Sequence, residues 1–120
     1  LFYPDRLPIS GFDANGVQTE NPKLDLFAVG SMTFEKPDPE TFTGLKLAFE
    51  AARCGGTMPT VFNAANEEAV ALFLDHKIRF LQIADLIGEA MAQHQVVQSP
   101  SVDEILEAEA QAHASVLRGI

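Results

Sequence analysis

The chain has no tryptophan, one tyrosine and a single cysteine among its 120 residues. One thiol, Cys54, allows no disulfide within the chain and fits a reducing, cytoplasmic compartment. Positive charge is scarce: 8 Lys and Arg stand against 17 Asp and Glu, for a net charge of -9. A nucleic-acid surface needs basic side chains to displace phosphate counterions, so nucleic acid is excluded as a partner. The same shortage argues against an anionic membrane surface. Long apolar runs are also missing; the longest, Ala69 to Leu74, is far short of a membrane span. No Met opens the chain and no basic-then-apolar leader is present, so the string reads as a piece of something longer. What is there is 47% hydrophobic and 21% charged residues, enough to pack a core in one domain and too little for two sizeable ones.

The chain has two halves of different character. Residues 1–37 show no helical period and hold Pro4, Pro8, Pro22 and Pro37 with Gly11, Gly16 and Gly30. Each proline removes a donor and fixes φ, and the glycines permit tight turns. Between Leu24 and Phe34 apolar residues alternate imperfectly, which predicts one short strand near residues 31–35. Phe2, Tyr3, Leu7, Ile9 and Phe12 are too apolar for a solvated linker. The expectation is an extended arm over 1–37 that packs on a surface outside this chain, adding its strand to a sheet edge there.

Residues 38–120 read as four amphipathic helices with short loops, a small four-helix bundle in a mainly α fold. Asp38-Pro39-Glu40 predicts the first helix start, with Phe42, Leu45, Phe49 and Ala52 as its inward stripe and Gly55-Gly56 as its stop. A second helix is expected to begin between Pro59 and Ala64 and to run to about Asp75, inward through Phe62, Ala65, Ala69, Leu72 and Phe73. The third spans about Leu81 to His94 through Ile83, Leu86, Ile87, Ala90 and Met91. The fourth opens on Ser101-Val102-Asp103-Glu104, a capping box, with Val102, Ile105, Leu106, Ala108, Ala112 and Val116 inward.

Candidate chemistry is thin. Asn63-Ala64-Ala65-Asn66-Glu67-Glu68 suits a polar patch gripping a ligand at a helix start, but caps of this composition are commoner, with Asn63 or Asn66 capping and the acids meeting the dipole. His76, His94 and His113 lie 18 and 19 residues apart, without the close spacing of a helical zinc site or a Glu-x-x-His word. Glu109 and His113 suit a surface pair. Cys54, at a helix C-terminus, is badly placed for a thiolate. Gly55-Gly56 lacks the strand and flanking motif of a phosphate loop. Asp103, Glu104, Glu107 and Glu109, with only Arg118 nearby, suit a solvated helix face.

Ordered words along the chain name a family that none of these features names alone. Leu1-Phe2-Tyr3-Pro4-Asp5-Arg6-Leu7, Met32-Thr33-Phe34-Glu35-Lys36-Pro37-Asp38 and Gly44 through Ala52 come first. Asn63 through Val70 with Phe73-Leu74, then Ile78 through Ala84, follow. Together they resemble the C-terminal end of the 1-deoxy-D-xylulose 5-phosphate reductoisomerases, over essentially the whole chain.

The resemblance implies an NADPH- and Mg²⁺- or Mn²⁺-dependent oxidoreductase. It converts 1-deoxy-D-xylulose 5-phosphate to 2-C-methyl-D-erythritol 4-phosphate in non-mevalonate isoprenoid biosynthesis. It also implies a homodimer in which an N-terminal NADPH-binding domain and a central catalytic domain are this segment's partners. The family's Asp-Ser-Glu metal word, glycine-rich fingerprint and phosphate-binding residues have no counterpart here. No catalytic, cofactor-binding or metal residue is therefore assigned, and the segment alone is expected to be inactive. Two other readings are a free-standing acidic module gripping a basic partner and a metal-carboxylate bundle enzyme. The missing Met and apolar arm weigh against the first, the scattered histidines against the second.

Overall fold

The computed structural model describes residues 25–120. The chain divides between Lys36 and Pro37 into two units. Five helices occur among the described residues: α1 (Leu26–Val29), α2 (Thr43–Cys54), α3 (Met58–Leu74), α4 (Gln82–Gln93) and α5 (Val102–Arg118). α1 belongs to the first unit and α2–α5 to the second.

The short strand expected at residues 31–35 is a misreading: the fold is mainly α, with no strand among the described residues. Where the alternation was read, Asp25 accepts the N–H groups of Phe27 and Ala28 and starts a single helical turn. Gly30, at φ 74°, ends that turn by donating to Leu26 O. Residues 31–35 are exposed and irregular. Alternation does not make a strand without a neighbouring strand to take its hydrogen bonds.

In the second unit, Asp38 does not start α2. Its Oδ1 accepts Glu40 N–H and Thr41 N–H, and its Oδ2 accepts the Thr41 hydroxyl. Phe42 N–H closes the turn on Asp38 O. The cap serves one isolated turn, and α2 begins later, at Thr43. α3 begins earlier than expected, at Met58, with Pro59 in its first turn where a missing N–H costs nothing.

α3 ends in a Schellman arrangement. His76 N–H bonds Phe73 O and Lys77 N–H bonds Leu72 O, while His76 takes φ 58°. The chain then turns Ile78 into the core. α5 opens with the expected capping box: Ser101 Oγ accepts Glu104 N–H, and the Glu104 carboxylate accepts Ser101 N–H.

α3 is the hub. It packs on α2, α4 and α5; α2 and α5 each also pack on α4 but not on each other. A helix pressed from three sides needs short side chains, and Ala65 and Ala69 on α3 are 0% exposed, with Ala64 close behind. Ala51, Ala90, Ala108 and Ala112 face them from the other three helices, and Val61, Leu72, Leu86, Ile87, Met91 and Val116 fill the remaining core.

The α4 stripe is as expected, with Leu86, Ile87, Ala90 and Met91 buried. The α2 stripe is not. Ala51 is the buried residue of α2 and Leu47 packs beside it, whereas Phe42 and Phe49 are exposed. Val102 and Leu106 of α5 are likewise exposed.

Candidate functional site

Two places in the second unit bring together residues from distant parts of the sequence. The first is a polar junction where the α4–α5 connection crosses the α2–α3 corner. Thr57 is completely buried. Its hydroxyl oxygen accepts Val97 N–H at 3.0 Å and lies 2.7 Å from His94 Nε2, while its own N–H bonds Val97 O at 3.1 Å.

The Thr57 hydroxyl and His94 Nε2 share one hydrogen bond, whose donor is set by the imidazole tautomer. This use of the side chain is why Thr57, at the N-cap of α3, makes no capping bond. Gly56 sits under the same crossing at φ 56°, and a Cβ there would overlap Val97 O. Gln98 Nε2 adds a bond to Cys54 O. The junction locks two loops, and a cavity of about 340 Å³ lies beside it, lined by Thr57, His94, Glu104 and Glu107 among others.

The second place is an apolar groove of about 310 Å³ running from the start of α2 to the start of α4. Phe42, Leu45, Phe62, Phe80, Leu81 and Ile83 make its apolar walls, and no charged residue lines it. Phe80 stands edge-on to Phe73, centroids 5.7 Å apart, which fixes its ring against the core. Even so Phe80 is 66% exposed, Phe42 64% and Leu81 78%. The sequence places Phe42 and Leu81 in helices, and Phe80 just before one, without marking them as a surface. The available signal was that α2 carries apolar residues on two stripes, Phe42-Leu45-Phe49 and Leu47-Ala48-Ala51, where one would fill a core.

The residues singled out from the sequence do not converge. Asn63 through Glu68 lie in the middle of α3, so neither a cap nor a ligand grip at a helix start describes them. Asn63 donates to Glu67 one turn on, and Glu68 Oε2 reaches His113 Nδ1 of α5 at 3.0 Å. Glu109 is thus not the partner of His113. His94 belongs to the Thr57 junction and His76 to the α3 terminus.

Cys54 is exposed at the end of α2. Glu104 is engaged by Ser101, and Glu107 accepts Gln111 Nε2. Hydrogen bonds from Ser101 N–H and its hydroxyl hold the Glu104 carboxyl below its ordinary range. Thr41 and then Glu40 do the same for Asp38. The Asp75 carboxylate pushes the Lys77 ammonium up.

Among the described residues no three His, Cys, Asp or Glu side chains are grouped to hold a metal ion. Of the adjacent glycines Gly55-Gly56, Gly56 is covered by Val97 O, whereas a Cβ at Gly55 would meet nothing. No helix among the described residues is long and apolar enough to cross a membrane.

The second unit is a closely packed helical core with an uncharged aromatic groove on its surface, the build of an all-α domain. Residues 1–115 match the DXP reductoisomerase C-terminal domain family, and the chain belongs to that family. It is 50% identical over 109 residues to the 1-deoxy-D-xylulose 5-phosphate reductoisomerase of Agathobacter rectalis, covering 91% of this chain and 26% of that protein. The enzyme of the same name from Caldanaerobacter subterraneus subsp. tengcongensis is 45% identical over 118 residues, 98% of this chain and 28% of that one.

A solved structure of 1-deoxy-D-xylulose 5-phosphate reductoisomerase from Zymomonas mobilis in complex with NADPH superposes with a TM-score of 0.73 at 34% identity. That match covers 97% of this chain and 28% of the other. The chain thus spans little more than a quarter of the length of these relatives.

Proposed function

We propose that this chain serves as the C-terminal part of a 1-deoxy-D-xylulose 5-phosphate reductoisomerase. Residues 1–37 are its interdomain arm and residues 38–120 its helical domain. The family match over residues 1–115 carries this reading. The complete enzyme reduces and rearranges 1-deoxy-D-xylulose 5-phosphate to 2-C-methyl-D-erythritol 4-phosphate in isoprenoid biosynthesis. It uses NADPH and Mg²⁺ or Mn²⁺, in the cytoplasm and as a homodimer.

The chemistry belongs to an N-terminal NADPH-binding domain and a central catalytic domain, which are this chain's partners. Its own contribution is a rigid body: a core closed by alanine contacts and a two-loop lock at Thr57. The use of His94 and His113 in bonds that tie one helix or loop to another supports a bracing role rather than a catalytic one.

The test is NADPH oxidation with 1-deoxy-D-xylulose 5-phosphate and Mg²⁺. The polypeptide from the whole reading frame should turn over, and the 120-residue chain should not. Turnover by the 120-residue chain would overturn the assignment.

A further inference from the structure

We propose that the cleft between the end of α4 and the second half of α5 binds a small organic anion, with one carboxylate or phosphate head on a short apolar body. This goes beyond the function proposed above and does not depend on it. The cavity holds about 250 Å³. Its floor is apolar and buried: Val61 of α3, Ala90 of α4 and Ala112 of α5. Its rim is polar, with Gln93 and His94 on one side and Gln111, Ser115 and Arg118 on the other. An apolar floor under a few convergent polar groups is the usual build of a small-molecule site.

The sign of the ligand follows from charge. The chain carries 17 Asp and Glu, yet none lines this cavity. The cavity beside Thr57, which shares His94 and Gln111 with it, is lined by Glu104 and Glu107. Glu89, whose carboxylate approaches Gly119, lines the cleft on the α2 side of α4 instead. Arg118 stands on the rim and makes no ion pair among the described residues. Its guanidinium is a planar fork matched to the oxygens of a carboxylate or phosphate. The end of α4 at Gln93 adds only a partial negative charge, less than the full charge Arg118 brings.

The rim also has a donor to spare. The Ser115 hydroxyl donates to Gln93 Oε1 at 3.0 Å, which fixes the Gln93 amide across the cleft. Gln93 Nε2 then has no acceptor among the described residues. A fixed N–H donor beside a guanidinium suits the several lone pairs of an oxyanion.

Butyrate and propyl phosphate test the site, because they pair the two heads with similar tails. Butyramide keeps the shape of butyrate without its charge. In backbone amide NMR of the 120-residue chain, an anion should shift the Gln93, Ser115 and Arg118 signals saturably. The head that binds more tightly identifies the ligand class. Butyramide should bind at least tenfold more weakly than butyrate or propyl phosphate, whichever is tighter. Arg118→Gln should weaken that anion at least tenfold while its spectrum stays that of the folded chain. A neutral probe that binds as well as the anions overturns the proposal. So does an undiminished response in Arg118→Gln, a response confined to residues away from the cleft, or no saturable shift with either anion.

The polypeptide from the whole reading frame gives a second measurement that does not need the shorter chain to fold by itself. There the same anion should raise the melting temperature of the wild type by more than that of Arg118→Gln. Equal rises in the two proteins, or no rise in either, overturn the proposal.

Discussion

The Thr57 hydroxyl and the His94 imidazole meet at 2.7 Å although 37 residues separate them, and the same oxygen accepts Val97 N–H. One buried side chain thereby fixes where the α4–α5 connection crosses the start of α3. Thr57→Val keeps the shape and removes the hydroxyl, leaving Val97 N–H and His94 Nε2 without their partner. The expected loss is about 1–3 kcal/mol, read from urea unfolding. Thr57→Ser should lose much less, because its hydroxyl fills the same role. Equal losses in the two variants would assign the effect to the methyl group's packing instead.

Gly56 lies under that crossing. Its φ of 56° favours glycine, and an added Cβ would overlap Val97 O. Gly56→Ala should therefore push the 96–98 segment off the α2–α3 corner and lower the melting temperature. Gly88→Ala is the contrast. Gly88 is inside α4, and a Cβ there meets Leu47 at 3.8 Å, an ordinary contact. Relieving glycine's entropy in a helix should stabilise by roughly 0.5–1 kcal/mol. Thermal melts of the two variants should move in opposite directions.

The end of α3 holds another residue at odds with its conformation. His76 occupies φ 58° in the position where helices most often place glycine. His76→Gly should raise stability by up to about 1 kcal/mol, since a side chain is disfavoured there by roughly 1–2 kcal/mol and glycine returns part of that as chain entropy. Unchanged or lower stability by differential scanning calorimetry would mean that the exposed imidazole contributes more than the cap geometry shows.

These termini also show what was legible in the sequence. Ser101-Val102-Asp103-Glu104 states its own structure, because both partners of the capping box lie within one short word. The α4 stripe is equally local, since apolar residues recur there at helical spacing. Asp38 misled for the opposite reason: an Asp side chain caps any turn that offers two N–H groups, whether or not a long helix follows, as Asp25 also does.

The α2 stripe misled because hydrophobicity marks what is apolar without marking what covers it. Phe42 and Phe49 outweigh Leu47 and Ala51 in the sequence, yet the smaller pair fits beside α3. The Thr57 junction was invisible, since nothing near Thr57 in sequence refers to His94 or Val97.

The capping box predicts a pH dependence. Glu104 is held below its ordinary value of 4.5 by Ser101. A carboxylate whose folded value is lowered contributes stability above its unfolded value, and that contribution is lost as pH falls through the folded value. The wild type should thus lose its α5 cap as pH falls below about 4.5, while Glu104→Gln, which keeps an acceptor without a charge, should be less sensitive over that window. Melting temperatures of the two proteins should converge on acidification. Ser101→Ala should lower the melting temperature at neutral pH, because Glu104 N–H loses its acceptor. Introduced into both proteins, it should also remove most of the pH-dependent difference between the wild type and Glu104→Gln.

The strongest structural test concerns the alanines of the hub. Ala69 is 0% exposed on α3, the helix pressed by α2, α4 and α5. Ala69→Leu adds bulk where no direction is open, and relief requires neighbouring helices to move apart. Overpacking of this kind costs typically about 1–3 kcal/mol. Ala71→Leu, two positions on in the same helix but exposed, gives the same change in helix propensity without the crowding and should be nearly neutral. A large loss for Ala69→Leu with none for Ala71→Leu, measured by denaturant unfolding of the 120-residue chain, would establish that close helix approach at α3 sets the rigidity of the domain. Similar small effects at both positions would mean that the core yields, and that a body this soft is not what braces a larger enzyme.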